Sequence, residues 1–148
     1  MNRRTLLMFG IAGLAAVGAG LLLPSLGGAE NISTLTLSGE ALASAEDIVL
    51  VDIRRAEEWK QTGVIEGAHL VTYAGAQDFL AKVGPLVGKG QKLALICRSG
   101  NRTSQAARQI APLVDFEVID VAGGMLRVAG EGYAPVAPTK SQGCASCN

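Results

Sequence analysis

The sequence predicts an α/β domain of three layers, a central parallel sheet flanked by helices on both faces. Two observations predict it. Three apolar runs of strand length, Ile48–Ile53, Lys92–Cys97 and Phe116–Val121, are largely continuous rather than alternating, as strands buried on both faces require. Stretches of helical period separate them, and a strand–helix–strand alternation is satisfied most economically by a parallel sheet. The size agrees. Of 148 residues, the first 29 hold much of the apolar excess, and the remaining 119 suffice for one domain with a real core.

Taken in order, Glu30–Leu37 is a short entry segment, and Ser38 caps a helix through Gly39–Ala43. After the strand Ile48–Ile53, Ala56–Gln61 forms a short helical turn with Trp59 inward. Gly67–Val71 is a short strand, and Ala76–Val83 has helical spacing through Phe79, Leu80 and Val83. Gly84, Pro85, Gly88 and Gly90 mark a loop. The strand Lys92–Cys97 ends on a cysteine. A helix follows over Thr103–Leu113, then the strand Phe116–Val121. Gly123-Gly124 opens a last helix through Met125, Leu126 and Val128, and Gly130, Gly132, Tyr133 and Pro135 close the domain. Residues 137–148 are small and polar and read as a flexible tail bearing Cys144 and Cys147.

Composition excludes some functions. Thirteen basic and 13 acidic side chains leave no basic footprint for nucleic acid. One histidine excludes a multi-histidine metal site, and His69 reads as a structural or rim residue. Residues 1–29 have the three parts of a secretory signal: Arg3-Arg4, an uncharged run over residues 6–23, and small residues ending at Ala29. Arg3-Arg4-Thr5-Leu6-Leu7 resembles the twin-arginine export signal. Cleaved or retained as a membrane anchor, the segment places the domain outside the cytoplasm, in or facing a bacterial periplasm.

The chemistry concentrates at Cys97-Arg98-Ser99-Gly100-Asn101-Arg102-Thr103. A buried strand delivers Cys97 to its carboxyl end, where open α/β sheets place ligands. The following helix directs its free amides and positive dipole end back at the sulfur. Gly100 lets successive N–H groups converge, and Arg98 and Arg102 add positive charge. All of this favours thiolate over thiol and makes the sulfur nucleophilic. The alternative is a structural cysteine at a strand end.

Cys97–Thr103, with Ser104, resembles the active-site loop of single-domain rhodaneses, the thiosulfate sulfurtransferase family. Asp52-Ile53-Arg54 with Glu58-Trp59, Gly63, Ile65 and Gly67-Ala68 resembles that family's upstream signature, and Gly123-Gly124 and Gly132–Val136 its downstream one. Val64 stands where the family has a histidine, and the tryptophan after the double glycine is absent. The resemblance implies transfer of a sulfane sulfur from thiosulfate or a similar small anion. Cys97 would carry it as a persulfide and pass it to cyanide, a thiol or a sulfur-acceptor protein. Arg98–Thr103 would bind the donor, and Asp52 and Arg54 would brace the neighbouring loop. Neither metal nor organic cofactor is required. Phosphatase relatives resemble Cys-x5-Arg, whereas Arg102 lies only five positions after Cys97. A non-catalytic carrier of persulfide or soft metal is the alternative function. Cys144 and Cys147 allow a surface disulfide, a redox pair serving Cys97, or a soft-metal site.

Overall fold

The computed structural model describes residues 31–147; the signal-like segment lies outside them. Five strands form one sheet: β1 (Ile32–Leu35), β2 (Ile48–Asp52), β3 (His69–Leu70), β4 (Lys92–Ile96) and β5 (Val118–Val121). Their spatial order is β1-β5-β4-β2-β3 and every pairing is parallel. Five α-helices accompany them: α1 (Gly39–Ser44), α2 (Ala56–Thr62), α3 (Ala76–Val83), α4 (Asn101–Ile110) and α5 (Gly124–Gly130). The fold is thus the parallel, helix-flanked α/β architecture that the sequence predicts.

The three central strands, β2, β4 and β5, are mostly apolar because both faces are covered. Val49, Val51, Leu93, Leu95, Cys97 and Val118 meet Phe79 and Val83 of α3 and Ala106, Ala107 and Ile110 of α4. Their neighbours Leu50, Ala94, Ile96, Ile119 and Val121 meet Leu42 of α1 and Met125 and Val128 of α5. The period-two alternation of strand side chains divides each run between two apolar layers.

This order fixes where a site can form. From β2 the chain moves outward to β3, and from β4 it moves the opposite way to β5. The crevice between β2 and β4, where Asp52 pairs with Ile96, is therefore the topological switch point. The Asp52–Arg54 segment and the Cys97 loop leave the sheet on its two sides.

The tail carries the disulfide that its two cysteines allowed, buried rather than on the surface. Gln142 accepts the Leu70 N–H at 2.7 Å, so the tail lies along β3, an edge strand. Cys144 and Cys147 form a disulfide with a Cα–Cα distance of 5.3 Å. Both are buried, in an apolar cluster with Trp59, Val64 and Leu70. Small polar neighbours hid two sulfur-bearing side chains that act as apolar groups once joined. Among the described residues no helix is long and apolar enough to cross a membrane.

Candidate active site

β4 ends at Ile96, and Cys97, 1 % exposed, opens the loop to α4. The loop is closed by Gly100, the N-cap of α4, at φ +94, a left-handed conformation that glycine adopts without strain. Its N–H points at Cys97 Sγ from 3.2 Å. Thr103, fully buried one turn into α4, places Oγ1 3.8 Å from the same sulfur and donates to the Gly100 carbonyl at 2.7 Å. α4 begins at Asn101, two residues before the Thr103 start expected from its apolar period, because Gly100 turns the chain directly into the helix.

A second helix holds the loop's outer side. Met125 N–H donates to the Cys97 carbonyl at 2.8 Å, and Leu126 N–H to the Arg98 carbonyl at 2.9 Å. With these two carbonyls bound by the first turn of α5, the loop's oxygen atoms are held off the sulfur while the Gly100 N–H turns inward. This close approach explains the second glycine of Gly123-Gly124. A Cβ on Gly124 would overlap the Cys97 oxygen and lie 2.8 Å from the Arg98 carbonyl carbon.

The two arginine–carboxylate pairs differ. Arg54, 1 % exposed, donates Nε to both Asp52 oxygens at 3.0 and 2.9 Å and Nη2 to Oδ2 at 2.7 Å. Its remaining donors reach the Gly63 carbonyl at 2.7 Å and Thr62 Oγ1 at 2.6 Å. With a longer contact from Nη1 to the Glu58 carbonyl at 3.5 Å, every guanidinium N–H is used, and Arg54 fastens the end of β2 to the end of α2. Losing one partner of such a buried pair costs about 3–5 kcal/mol, because the other charge is left without compensation.

Arg102 instead spans two loops. Its guanidinium grips Glu58 of α2 at 2.6 and 2.8 Å. Arg102 holds the Glu58 carboxyl below the usual range, against the opposing effect of burial; the Arg55 backbone N–H at 3.1 Å adds to the lowering. Glu58 in turn raises Arg102, and the neighbouring Cys97 sulfur acts in the same direction. The resemblance counts Arg102 among the donor-binding residues; here its guanidinium is taken up by Glu58 and lies beside the sulfur. Side-chain exposures of 41 % and 25 % keep the pair's contribution to stability near or below about 1 kcal/mol.

Arg98, Ser99 and Asn101 are exposed on the loop's outer rim. Beside the rim lies a cavity of about 290 Å³ lined by Arg54, Glu58, Thr62, Arg98, Met125 and Leu126, among others. The residue that sequence reasoning left outside the site is Glu58. Its signal was local, an acid at the third position of α2 placed to accept the N-cap N–H, but its partner is 44 residues away. Cys144 and Cys147 belong to the Trp59 cluster, whereas Cys97 packs in the core layer formed with α3 and α4. His69 lies in β3, opposite Val51.

The arrangement can do one kind of chemistry well: it can present a sulfur nucleophile to an anion and receive negative charge on an added atom. Known proteins share the fold. The family model described as rhodanese-like domain matches residues 38–131. No curated protein matches the chain. A rhodanese-related protein from Thermoplasma volcanium superposes with a TM-score of 0.54 at 22 % identity, covering 70 % of this chain and 98 % of that one. A Rhodopseudomonas palustris protein of unknown function, "possible tyrosine phosphatase", superposes with a TM-score of 0.55 at 28 % identity, covering 68 % and 83 % respectively.

Proposed function

The chain belongs to the rhodanese-like domain family, and from that premise we propose that it is a sulfurtransferase moving a sulfane sulfur from an anionic donor such as thiosulfate to a thiophilic acceptor through a Cys97 persulfide. The observation that carries this reading is the Gly100 N–H aimed at Cys97 Sγ from 3.2 Å, within a loop whose carbonyls are bound elsewhere. A preorganised donor of this kind stabilises negative charge on sulfur without reorganising during the reaction.

The Cys97 thiolate attacks the outer sulfur of thiosulfate. A Cys97–sulfur bond forms, the sulfur–sulfur bond of the donor breaks, and sulfite departs with the electron pair. Cyanide or a thiolate then attacks the outer persulfide sulfur and returns Cys97 to thiolate. Gly100, Thr103 and Arg102 hold the charge on the loop side, and Arg98 on the rim meets the incoming anion. Asp52 and Arg54 keep the facing loop in place without touching the donor.

Loop length supports sulfur transfer over phosphate-ester hydrolysis. Four residues separate Cys97 from Arg102, and Arg102 is already bound to Glu58. Both facts reduce what the loop offers a tetrahedral phosphate. The export signal read at residues 1–29 adds a location outside the cytoplasm to the proposal, and a Cys144–Cys147 disulfide suits an oxidising compartment.

The test is thiocyanate formation from thiosulfate and cyanide by residues 30–148. Cys97→Ser is expected to lower the rate by about a thousandfold or more, the loss typical of removing a covalent nucleophile. Persulfide on Cys97 without turnover would instead mark a carrier. Cys97-dependent cleavage of p-nitrophenyl phosphate with no thiocyanate would mark a phosphatase.

A further inference from the structure

The segment after Val136 is held to the domain by little apart from its own cross-link. Among the described residues, one hydrogen bond joins residues 137–147 to the body, from the Leu70 N–H to the Gln142 carbonyl at 2.7 Å. The segment's other hydrogen bonds are internal, among them Cys144 N–H to the Thr139 carbonyl at 3.2 Å and Cys147 N–H to the Cys144 carbonyl at 3.0 Å. None of the ion pairs among the described residues reaches it. What remains is the burial of the two joined sulfurs against Trp59, Val64 and Leu70. Even this contact is incomplete. A cavity of about 490 Å³ lies along the seam, lined by Trp59, Leu70 and Val71 of the body and Gly143, Ala145 and Ser146 of the tail, among others. Trp59 Nε1 is enclosed with no hydrogen-bond acceptor among the described residues, a cost that water repays once the indole is uncovered. The approach to β3 itself depends on one residue: at Gly143, with φ +114, a Cβ would stand 2.5 Å from the Leu70 carbonyl oxygen.

We propose that residues 137–147 are a redox-released strap. With Cys144 and Cys147 joined, the strap closes the β3 edge over Trp59; reduced by a dithiol, it lets go and opens that edge. A thiolate of the dithiol attacks Cys147 Sγ, the more exposed of the two cysteines at 6 % against 1 %. The bond to Cys144 breaks, and its electron pair leaves on Cys144 Sγ, which takes a proton. The second sulfur of the reductant, as thiolate, then attacks the reductant's own sulfur in the mixed disulfide. Cys147 leaves with the electron pair and takes a proton. Two electrons pass from the dithiol to the cysteines, and the reductant ends as a disulfide. Without the cross-link, one backbone hydrogen bond and two separate thiols do not offset the entropy of ordering the segment. The sheet and the Cys97 loop stay assembled, because no residue of the strap belongs to either of the apolar layers that cover the sheet. The strap thus ties the exposure of a strand edge to the redox state of its surroundings, and it does so independently of sulfur transfer.

Trp59 is the chain's single tryptophan, so its fluorescence reads this seam alone. The experiment records emission and acrylamide quenching of the protein before and after treatment with dithiothreitol. Circular dichroism follows the fold, and alkylation mapped by mass counts the thiols at Cys144 and Cys147. Once both thiols are free, emission is expected to move to longer wavelength and quenching to rise several-fold, with the dichroism kept. Gly143→Ala is expected to raise quenching while the disulfide is still intact, because it lifts the segment from Leu70. The double variant Cys144→Ser, Cys147→Ser is expected to give the open signal with or without dithiothreitol. An unmoved Trp59 signal in protein that carries both free thiols overturns the proposal, as does a disulfide that dithiothreitol leaves intact in the folded protein. Loss of the dichroism together with exposure of Trp59 overturns it too, since the domain then unfolds as a whole.

Discussion

The molecule buries sulfur in two places, to different ends. At the β4–α4 junction, Cys97 Sγ meets a backbone N–H, a threonine hydroxyl and a nearby guanidinium. Along β3, Cys144 and Cys147 are buried just as deeply, but among Trp59, Val64 and Leu70, and joined to each other. Burial alone therefore does not set a cysteine's surroundings. The first sulfur is surrounded by groups that stabilise charge, whereas the second pair is surrounded by groups that gain only from excluding water. One region surrounds its sulfur with polar groups, and the other packs its sulfurs against the edge of the sheet.

The sharpest way to break this contrast is at Gly124. Gly124→Ala places a methyl group onto the Cys97 carbonyl and forces α5 away from the loop. The strained φ of +56 and the overlap together are expected to cost about 2–3 kcal/mol of stability, visible as a lower Tm. Thiocyanate formation should fall further than the loss of folded protein accounts for, because the Gly100 N–H then loses its aim.

Next in size is the tail. Replacing both Cys144 and Cys147 with Ser removes the cross-link and leaves hydroxyl groups in an apolar cluster. The short disulfide loop accounts for about 2 kcal/mol by chain entropy, so Tm should drop. Sulfur transfer by the folded fraction should remain within about twofold of the unsubstituted chain. A large loss of turnover would show that the two sulfur regions work together.

The smallest effect is expected at Glu58→Gln. The Glu58–Arg102 pair is partly exposed, so stability should change by about 1 kcal/mol or less. Because Arg102 lowers the Glu58 carboxyl, the pair stabilises the fold fully above the ordinary carboxylate range and loses that contribution as pH falls through the lowered value. Stability measured against pH should therefore show a weaker acid limb in Glu58→Gln, with little difference between the two proteins at neutral pH beyond the lost pair.

Some of this was legible in the sequence, and some was not. β2, β4 and β5 show as nearly continuous apolar runs because both their faces are buried, and Cys97 was placed by the end of one such run. Gly100 and the Gly123-Gly124 pair were visible as unusual residues. What Gly124 avoids, a carbonyl of the Cys97 loop, depends on a segment 26 or 27 residues earlier and has no local signature. The same holds for Glu58, whose role appears only when α2 and α4 are brought together across the switch point. The packed tail was hidden for a further reason. Its apolar cluster is assembled from α2, the turn at Val64, β3 and residues 144 and 147, none of which contains an apolar run near the cysteines.

The central claim, that the loop makes Cys97 the atom that accepts sulfur, is tested most directly by intact mass. Residues 30–148 are incubated with thiosulfate without cyanide, and the modified peptide is mapped. The account predicts a gain of one sulfur atom on Cys97, removed by cyanide and absent from Cys97→Ser. An unchanged mass, or added sulfur on Cys144 or Cys147 with Cys97 unmodified, would contradict it.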